Sequence, residues 1–298
     1  IDGVSVSMAW SGSILGVSIV GVLGTIAMKE FRDGLRNRWV VAITAVFALL
    51  AVGLAYFGPA ASGTVGFASL ATTIVSLASL AVFLIPLIAL LLAYDTVVGE
   101  QEQGTLLLLF SYPVGRTELL LGKFLGHALI MAVATIVGFG FAALLIAVFT
   151  HELGSAELWS EFGYFIVSAT LLGWVFIAFA YVISVSVVEK STAAGLALAV
   201  WFVSVIVFDL ALLGVLVATR GAVGTLGREV FPYLLLLNPS DVFRVANLVG
   251  FEPARNYAGL AAIATGGALS VWTLSLVLVA WVAAPLGVAV WRFRKKEV

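Results

Sequence analysis

The sequence predicts an all-α integral membrane protein. Six transmembrane helices follow an N-terminal amphipathic interfacial helix, with both termini on the cytoplasmic side (N-in/C-in). Three observations carry this prediction. Of 298 residues, 62% are apolar and 10% charged, against about 45–50% and about 25% in soluble domains, which rules out a soluble enzyme as the default. Unbroken apolar runs of twenty residues or more recur, whereas a β-barrel strand alternates over about ten. The 15 Lys and Arg residues are distributed unevenly around those runs.

Residues 1–12 are small and weakly polar, lack the basic start of a signal peptide and receive no role in the fold; residues 1–18 read as an N-terminal extension. Residues 19–38 end in a basic, amphipathic stretch. Phe31 and Leu35 are four apart and share a face, while Lys29, Arg32, Arg36 and Arg38 line the rest, as suits a cytoplasmic helix lying in the interface. Residues 39–298 form the six-span domain. A span needs about 20 apolar residues at 1.5 Å each, and six stretches qualify: about 39–57, ended by Gly58-Pro59, 69–98 with Pro86 inside, 124–149, 162–188, 192–218 and 269–291. The segment 219–268 is periplasmic in this scheme. Its apolar run at 234–237 is too short to span and precedes Asn238-Pro239-Ser240-Asp241, so interfacial or re-entrant helices are expected there.

Orientation follows from the basic residues. With the N-terminus inside, 11 of them are cytoplasmic and only Arg220, Arg228, Arg244 and Arg255 lie outside, in line with the positive-inside rule. Cysteine is absent, and His127, His151 and the three methionines are too scattered for a soft-metal relay. No metal site is expected.

The most informative stretch is 99–123, between spans two and three. It holds Glu100, Glu102, Gly104 and Thr105, then an apolar run at 106–110 centred on Leu108, then Pro113-Val114-Gly115-Arg116. Pro113 and Gly115 force a turn between two short helical pieces. An apolar ridge with a polar rim reads as a docking surface; a hairpin packed on the protein's own cytoplasmic face explains it equally. Lys123, at a span end, reads as an interfacial anchor, and His127 as a hydrogen-bonded packing residue. Asp209, about 26 Å along the fifth span by helix rise, is either solvated near the outer boundary or functional. Gly122-x-x-x-Gly126 and Gly138-x-Gly140 could admit close helix contact.

The spacing E-x-E-x-G-T-L, S-x-P-V-x-R-x-E and G-K between spans two and three resembles the ABC-2 type permeases. Strings such as KEFRDGLRNRW at 29–39, LIALLLAYDTVVGE at 87–100, EKSTAAGLAL at 189–198 and LLLLNPSDVFR at 234–244 bring it closer to the permeases that serve nitrous oxide reductase maturation. The resemblance runs from about residue 20 to the end. It implies a homodimer in the bacterial inner membrane, contacting lipid but no nucleic acid. A separate cytoplasmic ABC ATPase, which binds ATP and Mg, would dock on 99–123 through Glu100, Glu102, Gly104, Thr105, Leu108, Pro113 and Arg116. A periplasmic solenoid protein would meet Asn238, Asp241 and Arg244. The only Gly-Lys, Gly122-Lys123, is followed by Phe124, so the chain lacks the G-x-x-x-x-G-K-[ST] phosphate loop. No cofactor of its own and no catalytic activity are expected. The implied role is assembly of the enzyme's copper–sulfide centres. Copper(I) prefers thiolate and thioether ligands, and the spans carry no Cys and only Met131. What crosses the membrane therefore stays open between mechanical transmission to the periplasmic partner, export of a sulfur species, and export of another substrate.

Overall fold

The computed structural model describes residues 19–36, 38–57, 70–111, 114–151, 153–218, 232–249 and 269–296. Among these there is no strand. The helices are α1 (Ile19–Arg36), α2 (Arg38–Phe57), α3 (Leu70–Ala93), α4 (Val98–Glu102), α5 (Thr105–Phe110), α6 (Arg116–Phe149), α7 (Ala156–Ser186), α8 (Lys190–Phe202), α9 (Phe208–Ala218), α10 (Pro239–Val249) and α11 (Val271–Lys295). Five stretches are each long and apolar enough to cross a membrane: Thr73–Glu102, Arg116–Phe149, Ala156–Ser186, Lys190–Ala218 and Val271–Lys295. A sixth candidate is the pair α1 and α2 taken together, which is apolar enough as one unit but bent by 68° where the two helices meet.

The boundaries have local causes. Ser155 caps α7 by accepting the Leu158 amide at 3.2 Å, and Ser270 caps α11 by accepting that of Thr273 at 3.1 Å. Glu118 reaches back to the Gly115 amide at 3.1 Å to start α6. The fifth span is continuous but passes through a π-helical turn at Val203–Val207 between α8 and α9.

α7 lies at the centre, packed by α3, α6, α10 and α11. Phe162, Phe165, Leu172, Phe176 and Tyr181 are buried along its length. The fifth span is the most exposed of the five. Small-residue notches on α6 seat the first two helices. A Cβ at Gly122 would lie 2.8 Å from the Ile26 side chain, and one at Gly126 2.4 Å from Glu30 Cβ and 3.0 Å from the Ala27 carbonyl. A Cβ at Gly138 would lie 2.7 Å from Phe47 Cβ on α2, while Gly140 faces nothing within 4 Å. Glycines therefore bring α1 and α2 onto α6 at backbone range. The inward stripe of α1 includes Ile26, Ala27, Glu30 and Phe31; Leu35, expected on the same face, is exposed.

The 219–268 segment departs most from a simple loop. Its described part, residues 232–249, lies inside the bundle. Asn238 donates through Nδ2 to the Ser204 carbonyl at 2.7 Å, about 21 Å along the span from Lys190. Trp281 of α11 donates to the Leu236 carbonyl at 3.0 Å. From there α10 runs back toward the far end, where Asn247 Nδ2 donates to Ser168 Oγ of α7 at 3.0 Å. The helix lies among the spans, with Asn238, Asp241 and Asn247 bonded to protein partners.

Candidate functional site

The stretch between spans two and three folds as a helical hairpin, α4–α5, at the end of the bundle that carries most of the Lys and Arg residues. Gly104 ends α4 with φ +70°, the left-handed conformation that glycine adopts without strain. Thr105 Oγ1 donates to the Glu100 carbonyl at 3.2 Å and closes the turn. Leu106 is 1% exposed and belongs to the bundle core, whereas Leu107 is 60% exposed. The expected ridge at 106–110 is thus divided: its first member faces inward and its second outward. Leu108 lies on α5, with its side chain outside the described residues, as is all of Pro113.

The root of the hairpin is tied to three other helices and, through one of them, to α1. At the break between α3 and α4, the amides of Val97 and Val98 both donate to Ser184 Oγ of α7, at 2.9 and 3.1 Å. Two backbone donors with no helical acceptor are thereby satisfied in the core. Asp95 pairs with Lys190 at 2.6 Å, and Glu102 Oε1 accepts the Lys190 amide at 2.5 Å; both link the hairpin to α8. Glu100 Oε1 lies 2.7 Å from Lys123 Nζ on α6, and Glu30 Oε1 on α1 lies 2.8 Å from the same nitrogen. The Lys123 side chain is only 7% exposed. This corrects the reading of Lys123 as an interfacial anchor. Gly122 and Gly126 bring Glu30 close enough to share the ammonium, so the charge is held inside the protein. His127 Nδ1 lies 3.1 Å from the Lys123 carbonyl and 2.9 Å from the Tyr181 hydroxyl, which makes it a packing histidine.

Arg116 also turns inward. Its Nη1 donates to the carbonyls of Phe293 and Arg294, each at 3.4 Å, and of Lys296. These are orphan acceptors at the C-terminus of α11, where a cation is favoured. Arg294 Nε donates to Thr117 Oγ1 at 2.7 Å, and Arg292 to Ser186 Oγ at 2.6 Å. Lys296 Nζ reaches the carbonyls of Val185 and Val187, and burial pushes its ammonium below the ordinary lysine range. Of the seven residues expected to couple, Glu102 and Gly104 are exposed and Thr105 is half-buried. Glu100 and Arg116 are engaged within the chain.

A second polar cluster surrounds α10. Arg244 lies 2.7 Å from Asp209 and 3.1 Å from Asp241. Asn238 donates to Asp241 Oδ2 at 2.8 Å and accepts the Ser240 amide at 3.2 Å, capping the helix. Asn238 and Asp241, expected to meet a periplasmic partner, are 2% and 1% exposed within this chain, and their polar side chains bond inside the bundle. Asp209 is ion-paired rather than merely solvated. A cavity of about 340 Å³ opens beside the π-helical turn, lined by Phe179, Val200, Ser204, Asn238 and Trp281 among others. Among the described residues, no group of three or more His, Asp or Glu could hold a metal ion.

Sequence reasoning missed Ser184, Glu30 and the burial of Lys123. The Gly122-x-x-x-Gly126 spacing was the available signal for the last two, since it marks where another backbone approaches and what Lys123 would meet there.

A helical bundle with a short hairpin gripped by several spans suits a membrane subunit driven from outside itself, and similarity to known proteins agrees. Residues 24–298 match the family described as ABC-2 family transporter protein. The chain is 54% identical over 271 residues to a protein of Stutzerimonas stutzeri named probable ABC transporter permease protein NosY, covering 91% of this chain and 97% of that one. It is 53% identical over 277 residues to the protein of the same name in Pseudomonas aeruginosa PAO1, covering 93% and 99%. Matches across nearly the whole length, including both the hairpin and α10, place this chain in the ABC-2 transporter family as a permease subunit.

Proposed function

We propose that this permease couples ATP hydrolysis by a separate cytoplasmic ATPase to a periplasmic partner, in the maturation of the copper–sulfide centres of nitrous oxide reductase. The subunit works as a homodimer in the bacterial inner membrane, with the basic end and both termini in the cytoplasm. ATP and Mg bind the ATPase; this chain holds neither. The observation that carries the reading is the α4–α5 hairpin. It exposes Leu107 and Glu102 at the basic end while its root is bonded to α6, α7 and α8. A partner that moves the hairpin therefore moves spans. The names of the relatives support the assignment to this system. A second reading, export of a small molecule, is favoured by the cavity beside Trp281.

Leu107→Asp tests the docking surface. Interface energy concentrates in a few buried apolar residues, at about 2 kcal/mol or more each, so this variant releases the ATPase or uncouples its hydrolysis at normal membrane level. Glu102→Lys changes an exposed charge worth about 0–1 kcal/mol and gives a milder, salt-dependent loss. Co-purification and ATPase activity beside wild type provide the measurement. Full ATPase binding and activity in Leu107→Asp would move the docking surface elsewhere.

A further inference from the structure

The three ties that hold the hairpin differ in kind. Ser184 offers neutral hydrogen bonds to the root. Lys190 offers an ion pair whose side chains are 44% and 37% exposed, and such pairs are screened and weak. Lys123 offers a charge-assisted bond from an ammonium that is almost wholly enclosed. The second oxygen of Glu100, Oε2, is buried without a hydrogen-bond partner, so the carboxylate depends on Lys123. Pulling α4 away from α6 would leave the half-buried Glu100 carboxylate, whose Oε2 is enclosed, without its paired cation, which is opposed. Pulling the two together strands nothing. Glu30 adds a second carboxylate to the same ammonium, and its helix is keyed into the notches at Gly122 and Gly126.

We infer that Lys123 is the positioning residue through which displacement of the α4–α5 hairpin is transmitted to α6 and, through Glu30, to α1. This rests on the docking of an ATPase at the hairpin. The residue touches neither nucleotide nor cargo. It makes three helices, separated by 23 to 93 residues along the chain, respond to one push.

The chain contains no cysteine, so a pair of spin labels can be placed without prior substitutions. Labels at Phe149 and Val217, both exposed and near the far ends of α6 and α9, report movement at the opposite end of the bundle. The complex with its ATPase, reconstituted in nanodiscs, is measured with and without ATP. We expect an ATP-dependent distance change in wild type. Glu100→Lys and Lys123→Glu should cut its amplitude at least about two-fold while the ATPase still co-purifies, and the triple variant Glu30→Lys/Glu100→Lys/Lys123→Glu, which reverses all three charges, should restore it, as coupled partners do. Glu100→Gln leaves Lys123 paired with Glu30, so it keeps the test open if the charge reversals fail to assemble; it should show the same loss at near-normal thermal stability. A wild-type-like amplitude in Glu100→Gln, a triple variant no better than the single ones, or no ATP-dependent change in wild type with the ATPase bound overturns the role of Lys123. Failure of the wild-type chain to retain the ATPase would instead refute the docking reading.

Discussion

Gly126→Ala offers the most direct test of how α1 is held. The new Cβ would lie 2.4 Å from Glu30 Cβ and 3.0 Å from the Ala27 carbonyl oxygen. Carbon atoms in contact sit about 3.5–4.0 Å apart, so α1 must retreat by about 1–1.5 Å. Overpacking of this kind costs about 1–3 kcal/mol. The gain in helix propensity from Gly to Ala offsets about 1 kcal/mol of that. The retreat also carries Glu30 beyond hydrogen-bond reach of Lys123, now at 2.8 Å. Lys123 keeps Glu100, so this loss is that of one charged hydrogen bond, about 1.5–3 kcal/mol. The net destabilisation is about 1.5–5 kcal/mol, and the midpoint should fall by several degrees, about 3–10 °C. Gly140→Ala, on the same helix with nothing within 4 Å of the new carbon, serves as control and should melt at or slightly above wild type. Thermal unfolding in detergent, followed by fluorescence-detected size exclusion, compares the three proteins. Equal midpoints for the two variants would refute the notch as the seat of α1.

Two further outcomes are expected. Ser184→Ala removes the shared acceptor of the Val97 and Val98 amides; each unsatisfied donor costs about 1–3 kcal/mol, and hydrogen exchange at these two positions should accelerate relative to the flanking helices, whereas unchanged exchange would show that another acceptor takes over. Single cysteines at Ser155 and Gly224 should react with an impermeant thiol reagent from the periplasm and one at Gly115 should not; outside labelling of Gly115 would invert the orientation drawn from the 11-to-4 basic split.

The spans were legible because a bilayer demands one local property, about twenty apolar residues in a row, and the chain states it six times. The hairpin was only partly legible: the sequence places a turn at Pro113 and Gly115, but the turn between the two short helices falls at Gly104, and Gly115 stands before α6. The polar clusters were not legible. Glu30, Glu100 and Lys123 sit on three different helices, and no periodicity links them; only the α6 glycines hinted that something approaches there. Arg116 looked like a rim cation because a sequence cannot show that the C-terminus of α11 ends beside it. Asn238 and Asp241 looked like loop residues because polarity in a short segment ordinarily means solvent. Here it means a helix start packed inside the bundle, with Ser204 supplied by the fifth span and Arg244 by the next turn of the same helix.

The glycine notches also bear on how the chain is made. The seats of α1 and α2 lie on α6, which leaves the ribosome well after both. At about 5–20 residues per second, several seconds pass in which Glu30 has no Lys123 and Phe47 has no Gly138 to pack on. The first two helices must therefore wait in the membrane as an unassembled pair, and their docking is a late step that closes the bundle. A ribosome stalled before α6 would leave a basic, amphipathic helix without the notches that seat it. Substitutions at the three notches should therefore lower the amount of mature protein in the membrane.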